Sequence, residues 1–278
     1  MVAGLVFGSI ALLYAQVFSY QSTDEVAVAP PAFIIATTTV PITTAAAFAI
    51  FNAETGEILA SESIESPYPI ASVTKLFAAV AIFEAFDPES TTTITWADIE
   101  GGGEAGKLHP KEVYSYRELL FPLLLESSND AASVLEHATK GEIISAMEAV
   151  ALKYGAANTS FSDASGLSSR NVSTVGDLMR FVRATNTAYP FVYDIGKLPQ
   201  YIGHYTGWQN NNPVATMPDF RGGKHGYTEA AGRTLVAQFD ESFTGGNRTI
   251  GYVILGSQDL KADTATLRAF VKDSVDYQ

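Results

Sequence analysis

Strand-like segments occur near both ends of this chain, and the stretch between them reads mainly as helix; that distribution narrows the fold more than any other feature. Residues 46–60 (AAFAIFNAETGEILA) pattern as a hairpin, an apolar strand and a returning one joined by a turn at Glu54-Thr55-Gly56-Glu57. Arg233–Phe239 and Arg248–Gly256 are strand-like again, joined by Phe243-Thr244-Gly245-Gly246, and Thr264–Asp276 closes as a helix. Between these ends, apolar spacing predicts a helix from about Ser72, with Leu76, Val80 and Phe83 on one stripe. Further helices are expected over Tyr116–Glu126, where Pro122 should kink or split the pattern, from about Asp130, and over 142–155 and 173–184. Residues 88–113 hold a Thr-rich strand and the run Gly101-Gly102-Gly103-Glu104-Ala105-Gly106, which lacks the Gly-Lys-Ser/Thr ending of a phosphate loop. The expected architecture is therefore α+β: one antiparallel sheet built from both chain ends plus a helical subdomain. At 278 residues and 47% hydrophobic, the chain can fill such a core.

Ahead of residue 45 the composition changes. The run from Val2 to Phe18 (VAGLVFGSIALLYAQVF) carries no charge, so residues 1–20 are expected to be a membrane anchor or signal segment. Cleavage after Ala15 would put Leu13 where a small residue is wanted, which favours an uncleaved anchor. No Lys or Arg precedes Lys75, so the usual basic flank is missing. Residues 21–44, rich in Thr, Ala, Val and Pro, should form an extended spacer, leaving 45–278 as the folded body.

A formal charge of −13 with no Lys/Arg cluster argues against a nucleic-acid partner. The absence of cysteine removes disulfides, thiol nucleophiles and Cys-ligated zinc together. His109, His137, His204 and His225 show no metal-ligand spacing, so neither a metal nor a cofactor is expected.

Three short segments could carry chemistry. In Ala71-Ser72-Val73-Thr74-Lys75, a helix beginning near Ser72 puts Lys75 one turn on and on the same face, within reach of the hydroxyl. The apolar neighbours Ile70, Leu76 and Phe77 would depress the amine's pKa and make it a usable base. A helix cap followed by a surface lysine gives the same four letters. In Glu126-Ser127-Ser128-Asn129-Asp130, Ser127 and Asn129 place a hydroxyl and an amide side by side, suited to relaying a proton and holding a peptide carbonyl; an N-cap is the plainer account. In Gly223-Lys224-His225-Gly226-Tyr227-Thr228, a lysine beside a glycine on a strand offers positive charge at an open backbone edge, where an extended peptide could add. An ordinary edge lysine would look alike.

The conjunction changes the odds. Ser-x-x-Lys, Ser-x-Asn and Lys-x-Gly follow in this order, the first on a helix and the last on a strand, as in β-lactamases and penicillin-binding proteins. The chain resembles the D-alanyl-D-alanine carboxypeptidases, the low-molecular-weight penicillin-binding proteins. The likeness extends to Ala53–Leu59, Tyr116–Ala132, Asn158–Phe161 with Ser165-Gly166-Leu167, and Gly226–Leu235, and so runs from about residue 45 to 275.

This resemblance implies a β-lactamase/transpeptidase-like fold and a serine acyl-enzyme acting on D-Ala-D-Ala peptides. It implies that Ser72 attacks, Lys75 takes its proton and Ser127 passes a proton to the leaving amine. Asn129, Lys224, His225, Gly226, Tyr227 and Thr228 would hold the substrate, with the Ser72 and Tyr227 amides as oxyanion hole. Peptidoglycan stem peptides are the expected substrates and β-lactams the expected inhibitors, at an extracytoplasmic site tethered to the cell membrane.

Two positions depart from the family. His225 stands where Thr or Ser is usual; a cleft-facing imidazole that charges near pH 6.5 would grip a carboxylate better as pH falls. The arginine that many members carry after the last strand has no counterpart in Gln258–Asp263, where Lys261 is the only cation. A β-lactamase would need a carboxylate to activate the deacylating water, and 158–170 offers Asp163 alone. The same boxes would also suit a D,D-endopeptidase that opens cross-links, or an inactive peptidoglycan-binding module that keeps them by descent. A Ser-His-Asp hydrolase lacks its Gly-x-Ser-x-Gly elbow here.

Overall fold

The computed structural model describes residues 32–36, 39–99 and 106–278. The expected anchor over 1–20 and the glycines at 101–103 lie outside the described residues. Among the described residues no helix is long and apolar enough to cross a membrane.

Five strands form one antiparallel sheet, in the spatial order Phe220–Thr228, Gly232–Phe243, Gly246–Ser257, Ala47–Asn52, Ile58–Glu62. The seam between the two chain ends is the pairing of Gly246–Ser257 with Ala47–Asn52, Tyr252 lying opposite Ile50. Side chains alternate across the sheet, and each face has its own cover. Ala47, Ala49, Phe51, Val236, Val253 and Leu255 join the core beneath the helical subdomain. Phe48, Ile50, Leu235, Phe239, Ile250 and Ile254 pack with Leu260, Leu267 and Val271 of the C-terminal helix Leu260–Ser274. This double burial explains why Ala47–Asn52 is buried at every residue.

The helix Thr74–Ala85 runs through the helical subdomain. Thr74 through Ile82 are all buried, so the single stripe expected from Leu76, Val80 and Phe83 understates its burial. Alanines at 78, 79 and 81 let neighbours close on its remaining sides. Helix Tyr116–Leu125 starts with a capping box between Ser115 and Glu118, and Pro122 sits inside it without splitting it. The Pro122 carbonyl then accepts from the Glu126 and Ser128 amides, at 3.2 and 3.0 Å, and turns the chain into the next helix, Asn129–Ala138.

Part of the stretch read as spacer is built into this body. Phe33–Ile35 pairs with Val275–Tyr277, and the Phe33 ring meets Phe243 and Tyr277 at centroid distances of 5.4 and 4.8 Å. The Thr44 amide and hydroxyl donate to the buried Asp263 carboxylate at 2.9 and 2.6 Å. Three residues are too few for strand alternation to show in a sequence. Helix Pro190–Lys197 and the small hairpin of Gln200–Ile202 with Gly207–Gln209 likewise go beyond the elements expected from the sequence. Tyr201 of that hairpin stacks on Phe121 with ring centroids 3.5 Å apart.

Candidate active site

Ser72 lies in a single 3-10 turn, Ala71–Val73, that leads into the helix carrying Lys75. Ala71 has φ +46°, a left-handed conformation that a residue with a Cβ holds only under outside constraint. Those constraints are visible. The Thr234 hydroxyl donates to the Ile70 carbonyl at 2.9 Å, and the Ile70 amide donates to the Asn171 carbonyl at 3.0 Å. Gly226 approaches so closely that a Cβ there would lie 2.5 Å from the Ser72 nitrogen. Gly166, at φ +85°, touches the turn from the other side, where a Cβ would overlap the Ala71 carbonyl. The Ser72 turn is thus wedged between the Lys224 strand and the 163–167 turn.

Lys75 is fully buried, and its Nζ lies 3.0 Å from Ser72 Oγ, 2.9 Å from Asn129 Oδ1 and 2.5 Å from the Ser165 carbonyl. Burial lowers its pKa from 10.5 to about 7, against a smaller upward pull from the Asp163 carboxylate. A neutral amine has two N–H donors and one lone pair. With the donors given to Asn129 and Ser165, the lone pair is left for the Ser72 hydroxyl proton.

In the Ser-x-Asn segment the capping and chemical readings are divided between residues. Ser128, in the middle, is the N-cap, its Oγ accepting from the Ala131 amide at 3.0 Å. Asn129 is thereby directed at Lys75. Ser127 has φ +62° and is half-buried.

Lys224 is 1% exposed, and its Nζ donates to the His225 carbonyl at 2.6 Å. His225 corrects the expectation of a titrating imidazole. Desolvation and the Lys224, Lys75 and Arg233 cations lower its pKa to about 2, so the ring stays neutral across the working range. Its Nδ1 is buried and has no hydrogen-bond partner. Tyr227 is 59% exposed, and the Arg233 guanidinium lies 5.3 Å above its ring, from the facing position on the next strand. The Thr228 hydroxyl accepts from the Ala231 amide at 3.1 Å and closes the hairpin turn, a structural role for a residue expected among the substrate contacts.

Three further groups carry little signal in the sequence. Asp163 accepts from the amides of Ser165, Gly166 and Ser168, at 2.9, 2.6 and 2.9 Å, and so shapes the turn whose Ser165 carbonyl holds Lys75. Asn171 ties this turn to the helix Thr74–Ala85, its Nδ2 donating to the Asp163 carbonyl at 2.8 Å and to Thr74 Oγ1 at 3.2 Å. Arg233 places a cation beside the Lys224 strand. The Asp-x-Ser-Gly spacing is the one signal that could have pointed to the first.

A profile of the D-alanyl-D-alanine carboxypeptidases matches residues 35–258. The chain belongs to this family. It is 30% identical over 217 residues to a D-alanyl-D-alanine carboxypeptidase of Mycobacterium tuberculosis, covering 74% of this chain and 73% of that protein. It is 27% identical to a D-alanyl-D-alanine endopeptidase of Escherichia coli, over 95% of this chain and 87% of the relative. A crystal structure of a D-alanyl-D-alanine carboxypeptidase from M. tuberculosis superposes with a TM-score of 0.76 at 27% identity, covering 84% of this chain and 93% of that one. The fold is shared with the Streptomyces K15 DD-transpeptidase, with a TM-score of 0.75 at 21% identity, over 84% and 98% of the two chains. The protein is accordingly a hydrolase of the serine-type D-Ala-D-Ala carboxypeptidase family, with the α+β, transpeptidase-like fold expected from its sequence.

Proposed function

We propose that Ser72 is the nucleophile, that it attacks the carbonyl between the two D-alanines of a peptidoglycan stem peptide, and that Lys75 takes its proton. The observation that carries this reading is the fully buried Lys75 amine, with a pKa of about 7, 3.0 Å from the Ser72 oxygen. The proton passes by way of Ser127 to the departing D-alanine amine, and water then hydrolyses the ester. Asn129 and the strand edge at Gly226 and Tyr227 hold the peptide, and the Ser72 and Tyr227 amides stabilise the oxyanion. Lys224 and Arg233 supply the field for the terminal carboxylate, with Arg233 offsetting the arginine missing from Gln258–Asp263.

β-Lactams acylate the same serine. Both Asp163 oxygens are used by the turn, Oδ2 by the Ser168 amide and Oδ1 by three donors of Ser165 and Gly166, which leaves this carboxylate poorly placed to activate a deacylating water. The adduct is therefore expected to be long-lived, unlike that of a β-lactamase. The enzyme works outside the cytoplasm, tethered by its N-terminal segment.

The test is mass analysis after incubation with a penicillin. One adduct is expected, on the peptide containing Ser72, and Ser72→Ala should remove it; a label on Ser127 would overturn the assignment. Muropeptide products then separate release of terminal D-alanine from opening of cross-links.

A further inference from the structure

Ser127, which in the reading above passes the proton to the leaving amine, follows directly on the Glu126 C-cap of helix Tyr116–Leu125. It is left-handed at φ +62°, a conformation that glycine takes more easily than serine. Where its hydroxyl points is therefore decided by how firmly the residues on either side are held. Both are held from one direction, by the strand Gly207–Gln209 and the residues just after it.

On the N-terminal side the grip is on Glu126. Its Oε1 accepts from the Gln209 amide at 3.1 Å and from Lys107 Nζ at 2.6 Å, and the same ammonium donates to the Gly207 carbonyl at 3.0 Å. The Leu125 and Glu126 carbonyls end the helix without intrahelical partners. They accept from the amide and the side-chain Nδ2 of Asn211, at 3.0 and 2.8 Å. On the C-terminal side the grip is indirect. Gly106 lies so close to Ser128 that a Cβ there would overlap its Oγ, and the Gly106 carbonyl is fixed at 2.5 Å by Nε1 of the buried Trp208. The strand is seated in turn on the helix that leads to Ser127, because the Trp208 and Tyr201 rings lie parallel and Tyr201 stacks on Phe121.

A hydroxyl that donates to a nitrogen as its C–N bond breaks works only within hydrogen-bond reach of that nitrogen. We propose that Glu126 is a positioning residue for Ser127: through its bonds to Gln209, Lys107 and Asn211 it holds the backbone so that the Ser127 hydroxyl meets the leaving nitrogen. The inference rests on the acyl-enzyme reading above. In the step concerned, Ser127 gives its proton to the D-alanine nitrogen as that bond breaks and takes in return the proton that Lys75 removed from Ser72. Glu126 itself neither gains nor loses one.

The test uses the full chain and two substrates that differ in the group expelled, diacetyl-lysyl-D-Ala-D-Ala and the thioester in which thioglycolate replaces the last D-alanine. An amine leaves only with a proton, whereas a thiol, which ionises at accessible pH, leaves as its anion. Glu126→Ala should lower kcat/KM for the peptide by about tenfold, a part of what a well-placed proton donor contributes, and for the thioester by less than about threefold. Glu126→Gln, which keeps an oxygen for the Gln209 amide, should recover most of the loss. Trp208→Phe, which keeps a ring but releases Gly106, should show the same selectivity and serves if Glu126→Ala does not fold. Ser127→Ala should give a larger loss, likewise selective, and adding Glu126→Ala to it should slow the peptide no further, since no hydroxyl is left to place. An unchanged peptide rate, equal losses on the two substrates, or independent effects in the double variant would overturn the inference and leave the acyl-enzyme reading intact. A Ser127→Ala enzyme that loses both substrates equally would instead sink the proton relay on which the inference rests.

Discussion

If burial holds the Lys75 amine near neutrality, one pKa must appear in two unrelated measurements. The folded value, about 7, lies below the unfolded value of 10.5, so between these limits the unfolded chain binds more protons and stability rises with pH. The penalty for burying this amine is complete below the folded value and gone above the unfolded one. For a fully buried group, linkage gives a cost of roughly 5 kcal/mol at about pH 6 and roughly 2 kcal/mol at about pH 9. Lys75→Met fills similar space without the charge. It also loses the bonds to Asn129 and Ser165, but that loss does not depend on pH and cancels when two pH values are compared. The effect of Lys75→Met on urea unfolding should therefore be more favourable at about pH 6 than at about pH 9, by roughly 3 kcal/mol. In parallel, acylation of the unaltered enzyme by a penicillin should fall about tenfold per unit below about pH 7, as the neutral amine becomes scarce. A stability difference that stays constant with pH would mean that Lys75 keeps an ordinary pKa when folded, and it could not then be the base.

Other consequences follow from close contacts at the site. Gly226→Ala forces a Cβ against the Ser72 amide and should slow acylation at least about a hundredfold, the scale of losing an oxyanion donor; a penicillin-binding rate near normal would show that the turn can shift. His225→Thr should leave the acid limb of the kcat/KM profile where Lys75 puts it, since the imidazole is already neutral; a limb that moves would mean the ring titrates after all. Arg233→Gln should raise KM for a D-Ala-D-Ala peptide by about tenfold while affecting the amidated peptide little, as loss of one charged contact to the carboxylate implies. Equal effects on both peptides would assign Arg233 to the packing of Tyr227 instead.

What can be read in the sequence is whatever depends on local order along the chain. Strand alternation at 46–60 and 233–256 and the three chemical boxes are such patterns, and the sheet and the Ser72–Lys75–Asn129 contact agree with them. What escapes depends on partners distant in sequence. Phe33–Ile35 becomes a strand only because Val275–Tyr277 is there to pair with it. His225 looks like a pH sensor by type, and its burial among Lys224, Lys75 and Arg233 reverses that reading. Asp163 is a candidate base by residue type, and only the fold shows its oxygens occupied by the Ser165, Gly166 and Ser168 amides.

The placement of the Ser72 turn also explains why the Ser72–Lys75 pair depends on residues far along the chain. A left-handed alanine costs about 1–2 kcal/mol, and Ala71 bears that cost immediately before Ser72. The turn's own bond, from the Val73 amide to the Ile70 carbonyl, is long at 3.2 Å, and the N-terminal cap position, Ile70, makes no side-chain cap bond. The restraint comes from Thr234, 164 residues after Ile70, through its bond to the Ile70 carbonyl, from Gly226 on the neighbouring strand, and on the other side from Asn171 and Gly166. Thr234 and Gly226 sit on strands joined to the N-terminal hairpin through Gly246–Ser257. The Ser72 backbone is therefore held jointly by the C-terminal strands of the sheet and by the 163–171 segment, and the geometry that brings Ser72 Oγ to Lys75 depends on both.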